Sequence, residues 1–115
     1  MTYVDGFVAA ALTASRSSYQ EHVKAMGALF KEFGALRVVD CWGEDVPDGK
    51  LTSFPMAVKK QPNETVVFGW IEWPSRATRD AGFEKAMKDP RMTSAAMPFD
   101  GKRMIFGGFE VIAEH

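Results

Sequence analysis

A chain of 115 residues with 46% hydrophobic and 25% charged side chains has the length and balance of one globular domain, long enough to bury roughly two-thirds of its unfolded surface. A formal net charge of -1 supplies no field for gathering nucleic acid or anionic lipid, and the short basic groups Lys59-Lys60 and Lys102-Arg103 have acidic neighbours, the pattern of a solvated surface. One cysteine, Cys41, allows no intramolecular disulfide, the opening MTYVDGFV lacks the features of a signal peptide, and no apolar run nears the ~18 residues of a membrane span, so a soluble cytoplasmic protein is expected.

Residues 3 to 11, YVDGFVAAA, read as a strand. A helix is predicted from 15 to about 33, because Tyr19, Val23, Met26, Leu29 or Phe30, and Phe33 recur at helical spacing. Ser15, Ser17 or Ser18 can cap it, and Gly34 supplies the left-handed stop. LRVVDCW, 36 to 42, is strand-like, and GEDVPDGK, 43 to 50, is a turn-rich acidic excursion that can act as a lid.

SFPMAVK, 53 to 59, and TVVFGWIEW, 65 to 73, read as a hairpin, with Pro55 arguing for an edge position or a late start. A second helix opens at Pro74-Ser75 with Ser75 as cap, turns Phe83, Ala86 and Met87 inward, and closes at Asp89-Pro90. Asp100-Gly101 then makes a turn into the last strand. The order strand, helix, strand, strand, helix, strand is the split βαβ pattern of a ferredoxin-like α+β domain with an antiparallel sheet, spanning residues 1 to 115 as one unit.

Sorted by the period of two, the strands are apolar on both sides. Val4, Val8 and Ala10 oppose Tyr3, Phe7 and Ala9; Val66, Phe68 and Trp70 oppose Val67, Ile71 and Trp73; Met104, Phe106 and Ile112 oppose Ile105, Phe109 and Val111. In the second strand Leu36, Val38 and Trp42 oppose Val39 and Cys41. Two helices cover only one face, so a second copy is expected over the other, as a homodimer enclosing a space for a small molecule. Gly107 and Gly108 either leave room for a neighbour, one on each face, or mark a local bulge.

YVDGFV, EFGALRVVDCWGEDVPDGK, DPRM and MPFDGKRMIFGGFE together resemble the YbaA-like family of small bacterial proteins of unknown function, over essentially the whole chain. That resemblance implies a dimeric α+β barrel, an architecture shared with cofactor-free quinone-forming monooxygenases, haem-degrading enzymes and small isomerases. The haem-degrading relatives use an Asn on the first strand, a Trp on the third and a His on the second helix. Trp70 matches, but the first strand offers Asp5 and the second helix has no histidine, which argues against haem.

Every core strand carries one carboxylate: Asp5, Asp40, Glu72 and Glu110. Turned into an enclosed space they would be general bases; at strand ends they would be ion-paired with Arg37, Arg103 or a lysine. Asp5, Glu72 and Glu110 are the candidate catalytic residues. Tyr3, Trp42, Phe54, Trp70, Trp73 and Phe106 are candidate pocket walls, with plain core packing as the other reading.

His22 falls at the polar margin of the first helix and His115 is terminal. Cys41 reads as a small core residue. Two distant histidines and one cysteine offer no metal-ligand spacing, and the phosphate-cradling glycine motifs are missing, so neither metal nor cofactor is expected. The functions in view are a cofactor-independent monooxygenase or isomerase acting on a small aromatic or lactone-like compound, and a non-catalytic binding or stress-related accessory protein.

Overall fold

The structure, a computed structural model, describes residues 2–115. Strand β1 (Tyr3–Leu12) leads through a 3-10 turn into helix α1 (Arg16–Glu32). Ser15 stands at the N-cap, but its hydroxyl makes no capping bond; the Ser18 hydroxyl instead donates to the Ser15 carbonyl at 3.0 Å. At the other end Gly34 adopts φ +114°, and the Ala35 amide reaches back to the Phe30 carbonyl at 3.0 Å, the left-handed stop expected of that glycine.

Strand β2 (Arg37–Trp42) follows, then the short helix α2 (Phe54–Ala57), strand β3 (Glu64–Trp73), helix α3 (Arg76–Lys88), the single turn α4 (Pro90–Thr93) and strand β4 (Ile105–Glu110). The strands form one antiparallel sheet in the order β2-β3-β1-β4. This is the ferredoxin-like α+β arrangement: each helix crosses over to a non-adjacent strand and both settle on one face.

Residues 53–59 correct the expectation of a strand. Ser53 caps a helical turn by accepting from the Met56 amide at 3.1 Å, and Pro55 lies in the first turn, where a missing N–H costs nothing. The hairpin partner of β3 is therefore β2. The intervening excursion folds back over the sheet, placing Val58, fully buried, against Val8, Ala10 and Val66.

A second correction concerns α3. Its cap is as expected, with the Ser75 hydroxyl accepting from the Thr78 amide at 3.1 Å, but Met87 is 49% exposed. Ala86 is buried and Phe83 packs against the core as expected, and Gly82 faces inward in place of Met87, because the wide ring of Trp73 needs a bare spot on the helix above it.

The helix-side core has two centres. One gathers Phe30, Ile71, Trp73 and Ala86, with Trp73 edge-on to Phe30; the other gathers Ala9, Ala11, Tyr19 and Val67, with Val23 and Trp42 packed against them. At one end of the sheet Arg103 donates to both oxygens of Glu64, at 2.8 and 2.7 Å, and to the Lys59 carbonyl at 2.9 Å. That fork clamps the segment before β4 to the turn before β3. No helix among the described residues is long and apolar enough to cross a membrane.

Candidate functional site

The register puts Val38, Asp40 and Trp42 of β2 on the helix side, with Asp40 directly opposite Gly69. A side chain at Gly69 would start 2.8 Å from Asp40 Oδ1 and inside the Phe7 ring, so the glycine in mid-strand is what lets both groups lean in over the sheet. Above them α1 carries another glycine, Gly27, where a Cβ would touch Val38 at 3.5 Å. Between helix and strand a cleft of about 360 Å³ remains, bordered by Val23, Lys24, Gly27, Lys31, Val38 and Asp40 among others.

Two polar groups here are left without partners. Asp40 makes no ion pair or side-chain hydrogen bond among the described residues, and burial pushes its carboxyl up to about 6. Tyr19 is 4% exposed and its hydroxyl has no hydrogen-bond partner among the described residues; burial raises its pKa most, and the negative charge of nearby Asp40 adds to the rise. Buried polar groups are nearly always satisfied, so the Tyr19 hydroxyl is an exception sealed in the core, whereas the half-buried Asp40 borders the cleft, where another molecule's polar atoms could reach it. A carboxylate that titrates near 6 is also suited to general-base work close to neutral pH. His22 is half-buried, which lowers its pKa, and it does not border the cleft.

The residues singled out from sequence do not converge on one site. Asp5 lies on the helix side beneath α3, where Trp73 Nε1 donates to its Oδ2 at 2.9 Å and Arg79 Nε stands 3.6 Å from the same oxygen. Burial raises the Asp5 pKa, opposed by Arg79 and the Trp73 hydrogen bond. Arg79 also donates to the Tyr3 hydroxyl at 2.8 Å and stacks over that ring. Gly108 makes room for this group: a side chain there would strike the Tyr3 hydroxyl and the Arg79 guanidinium.

Glu72 faces the other side of the sheet, accepting from Trp70 Nε1 at 2.8 Å with Arg37 at 3.7 Å. Glu110 is exposed at the end of β4. Of the aromatic candidates, Trp73 is sealed in the core, Phe106 is 77% exposed, and Trp42 and Phe54 meet at a second, apolar hollow of about 230 Å³ with Cys41, Val46 and Phe68. Cys41 is exposed there rather than buried. Among the described residues no His, Cys, Asp and Glu side chains cluster as a metal site would require.

In unbroken register Gly6 pairs with Gly107, on the uncovered face, and Asp5 with Gly108, on the helix side. The glycine pair is therefore no bulge. Gly6 and Gly107 leave a bare strip of backbone, flanked by Phe109, 62% exposed, with Ile105, 46%, and Phe68, 40%, nearby on that face.

Sequence reasoning passed over Tyr19 as core and grouped Asp40 with three other strand carboxylates. The available signal was Gly69, a lone glycine in the apolar run VVFGWIEW, which marks a close approach over that point of the strand.

Solved structures share this architecture. SnoaB of Streptomyces nogalater, described as a cofactor-independent oxygenase, superposes with a TM-score of 0.58 at 13% identity, covering 98% of this chain and 93% of its own. A dimeric ferredoxin-like protein from an uncultured marine organism gives 0.63 at 11% identity, over 99% and 98%. At such identities the likeness is one of fold. Sequence relatives are much nearer: the YbaA protein of Escherichia coli strain K12, and that of Shigella flexneri, are each 58% identical over 116 aligned positions covering 99% of both chains. With residues 2–101 also matching the model of a family described as proteins of unknown function, DUF1428, the chain belongs to that YbaA-like family.

Proposed function

We propose that this protein is a cytoplasmic homodimer, closed through the uncovered sheet face, whose protomers bind a small aromatic or lactone-like compound in the cleft between α1 and β2. Asp40 removes a proton from that compound, the step with which both a cofactor-independent isomerisation and a cofactor-independent monooxygenation begin. The observation that carries this reading is the half-buried Asp40 carboxyl, without an ion pair or side-chain hydrogen bond among the described residues, at the wall of an open cleft. Asp5 and Glu72 are engaged by Arg79, Trp73, Arg37 and Trp70, which leaves their oxygens less free to meet a substrate.

The chemistry follows from this one group. Asp40 takes a proton from an acidic C–H or a phenolic O–H set against it. Return of the proton to another carbon gives an isomer. Reaction of the anion with dioxygen converts a CH₂ group to a carbonyl, with the second oxygen atom leaving as water. The fold shared with SnoaB, itself described as a cofactor-independent oxygenase, favours the oxygenase branch.

Support for the dimer is energetic. Four strands ~4.8 Å apart and about 20 Å long present roughly 400 Å² per face, on the order of 10 kcal/mol gross at ~25 cal/mol per Å² before association costs. The excursion through Val58 covers only one end of this face.

A thermal-shift screen with phenols, anthrones and lactones tests the site, since a ligand of the native state raises the melting temperature. A hit that is turned over by the wild type, and bound but not turned over by Asp40→Asn, supports Asp40 as base. Unchanged turnover in that variant excludes it, and binding without turnover in the wild type favours the non-catalytic accessory role.

A further inference from the structure

The rim of the same cleft says what kind of molecule it accepts. Lys24 and Lys31 stand seven residues apart on α1, two turns and ~10.5 Å along the helix, and both border the cleft. Neither forms an ion pair among the described residues, and of the cations without one, which include Arg16, Lys50, Lys59, Lys60, Lys85 and Lys102, these two border the cleft. The acid closest to Lys31 in sequence, Glu32, is held by Arg91 at 2.8 Å. Among the described residues Asp40 is the only acidic side chain bordering the cleft.

Resting on the reading of this cleft given above, we infer that its ligand carries an anionic group, a carboxylate or its equivalent, which Lys24 and Lys31 hold at the rim while the reacting end lies against Asp40. The walls between rim and floor, Val23, Gly27 and Val38, suit an apolar body. Charge then sets the orientation. Reversed, the ligand would set its anion against the Asp40 carboxylate and leave both ammonium groups with water alone. In the productive direction the anion meets two unpaired cations, and the acidic C–H or O–H meets the one carboxylate able to take its proton. Neutral compounds of the same shape lack this guide and should bind more weakly and in both directions.

The test is an NMR titration of the full chain with para-hydroxybenzoate and, separately, its neutral analogue para-hydroxybenzyl alcohol, following the amide signals of Gly27, Val38 and Asp40. Expected is a Kd about tenfold lower for the carboxylate, consistent with two partly exposed charge pairs, with the gap shrinking below about twofold at high salt and in the Lys24→Gln/Lys31→Gln variant. Equal affinity of the two compounds for the wild type overturns the anionic-ligand inference and leaves the cleft standing as a binding site. If neither compound moves those three signals, the inference and the binding reading of the cleft fall together.

Discussion

The two faces of this sheet are made from the same kinds of residue and end up in opposite conditions. On one, Trp73, Val67 and Ala9 are fully buried beneath α1 and α3; on the other, Phe109, Ile105 and Phe68 stand 62%, 46% and 40% exposed around a strip of bare backbone at Gly6 and Gly107. Apolar alternation along a strand thus says that a face will be covered, not by what. The helix side is covered within the chain, and its remaining gap, the cleft at Asp40, is where chemistry is proposed. The other side has the excursion through Val58 over one end, and over the rest a second copy is proposed.

The contrast is sharpened most by truncating the anchor of the helix side. Trp73→Ala should cost about 3–5 kcal/mol, read as a lowered denaturant midpoint, because a fully buried ring is lost together with the Asp5 hydrogen bond it donates. Gly82→Ala adds a single methyl group yet should cost about 1–3 kcal/mol, since its Cβ would lie 2.5 Å from Trp73 Cζ3 and 2.8 Å from the Phe33 carbonyl oxygen. If either variant proves neutral, the helix side is not packed as described.

Asp40→Asn should act in the other direction. The folded-state pKa of Asp40, about 6, lies above its ordinary 3.8, so the native state binds more protons between these values and the wild type loses stability as pH rises through them. Replacing it should raise stability at pH 7 by ~1–2 kcal/mol, discounted for partial exposure, and by nothing below about pH 4. A cost of this kind is common where function requires an unsatisfied group. Glu64 has the opposite sign: hydrogen bonds from Arg103, with one from the Gln61 amide, hold its carboxyl at about 2, so its contribution is present above about pH 4.5 and fades as pH falls toward 2. Urea unfolding across pH for wild type, Asp40→Asn and Glu64→Gln separates the two. The smallest effect belongs to the exposed face, where Phe109→Ser should change the stability of the isolated monomer by less than ~0.5 kcal/mol.

How far these features were legible in the sequence depends on how local they are. β1, α1, the Gly34 stop and the Ser75 cap are written in the spacing of Tyr19, Val23 and Met26 and in single residues with one conformational use. The run SFPMAVK is too short for its period to separate strand from helical turn, and its outcome rests on the Ser53 cap and on Pro55. Met87 and Gly82 exchange places relative to expectation because helix periodicity cannot anticipate the width of a tryptophan on the strand below. The four strand carboxylates look alike in sequence. What distinguishes Asp40 is a register placing it opposite Gly69 and a helix lying over both, and neither is visible until β2 is paired with β3.

Sedimentation velocity on the wild type and on Phe109→Glu, at micromolar concentration, is the most direct test of the difference between the faces. The expected result is a wild-type species of twice the 12.8 kDa chain mass and a folded variant at the single-chain mass. A wild type that sediments as a single chain, or a variant that stays paired, would contradict a second copy as the cover of the open face.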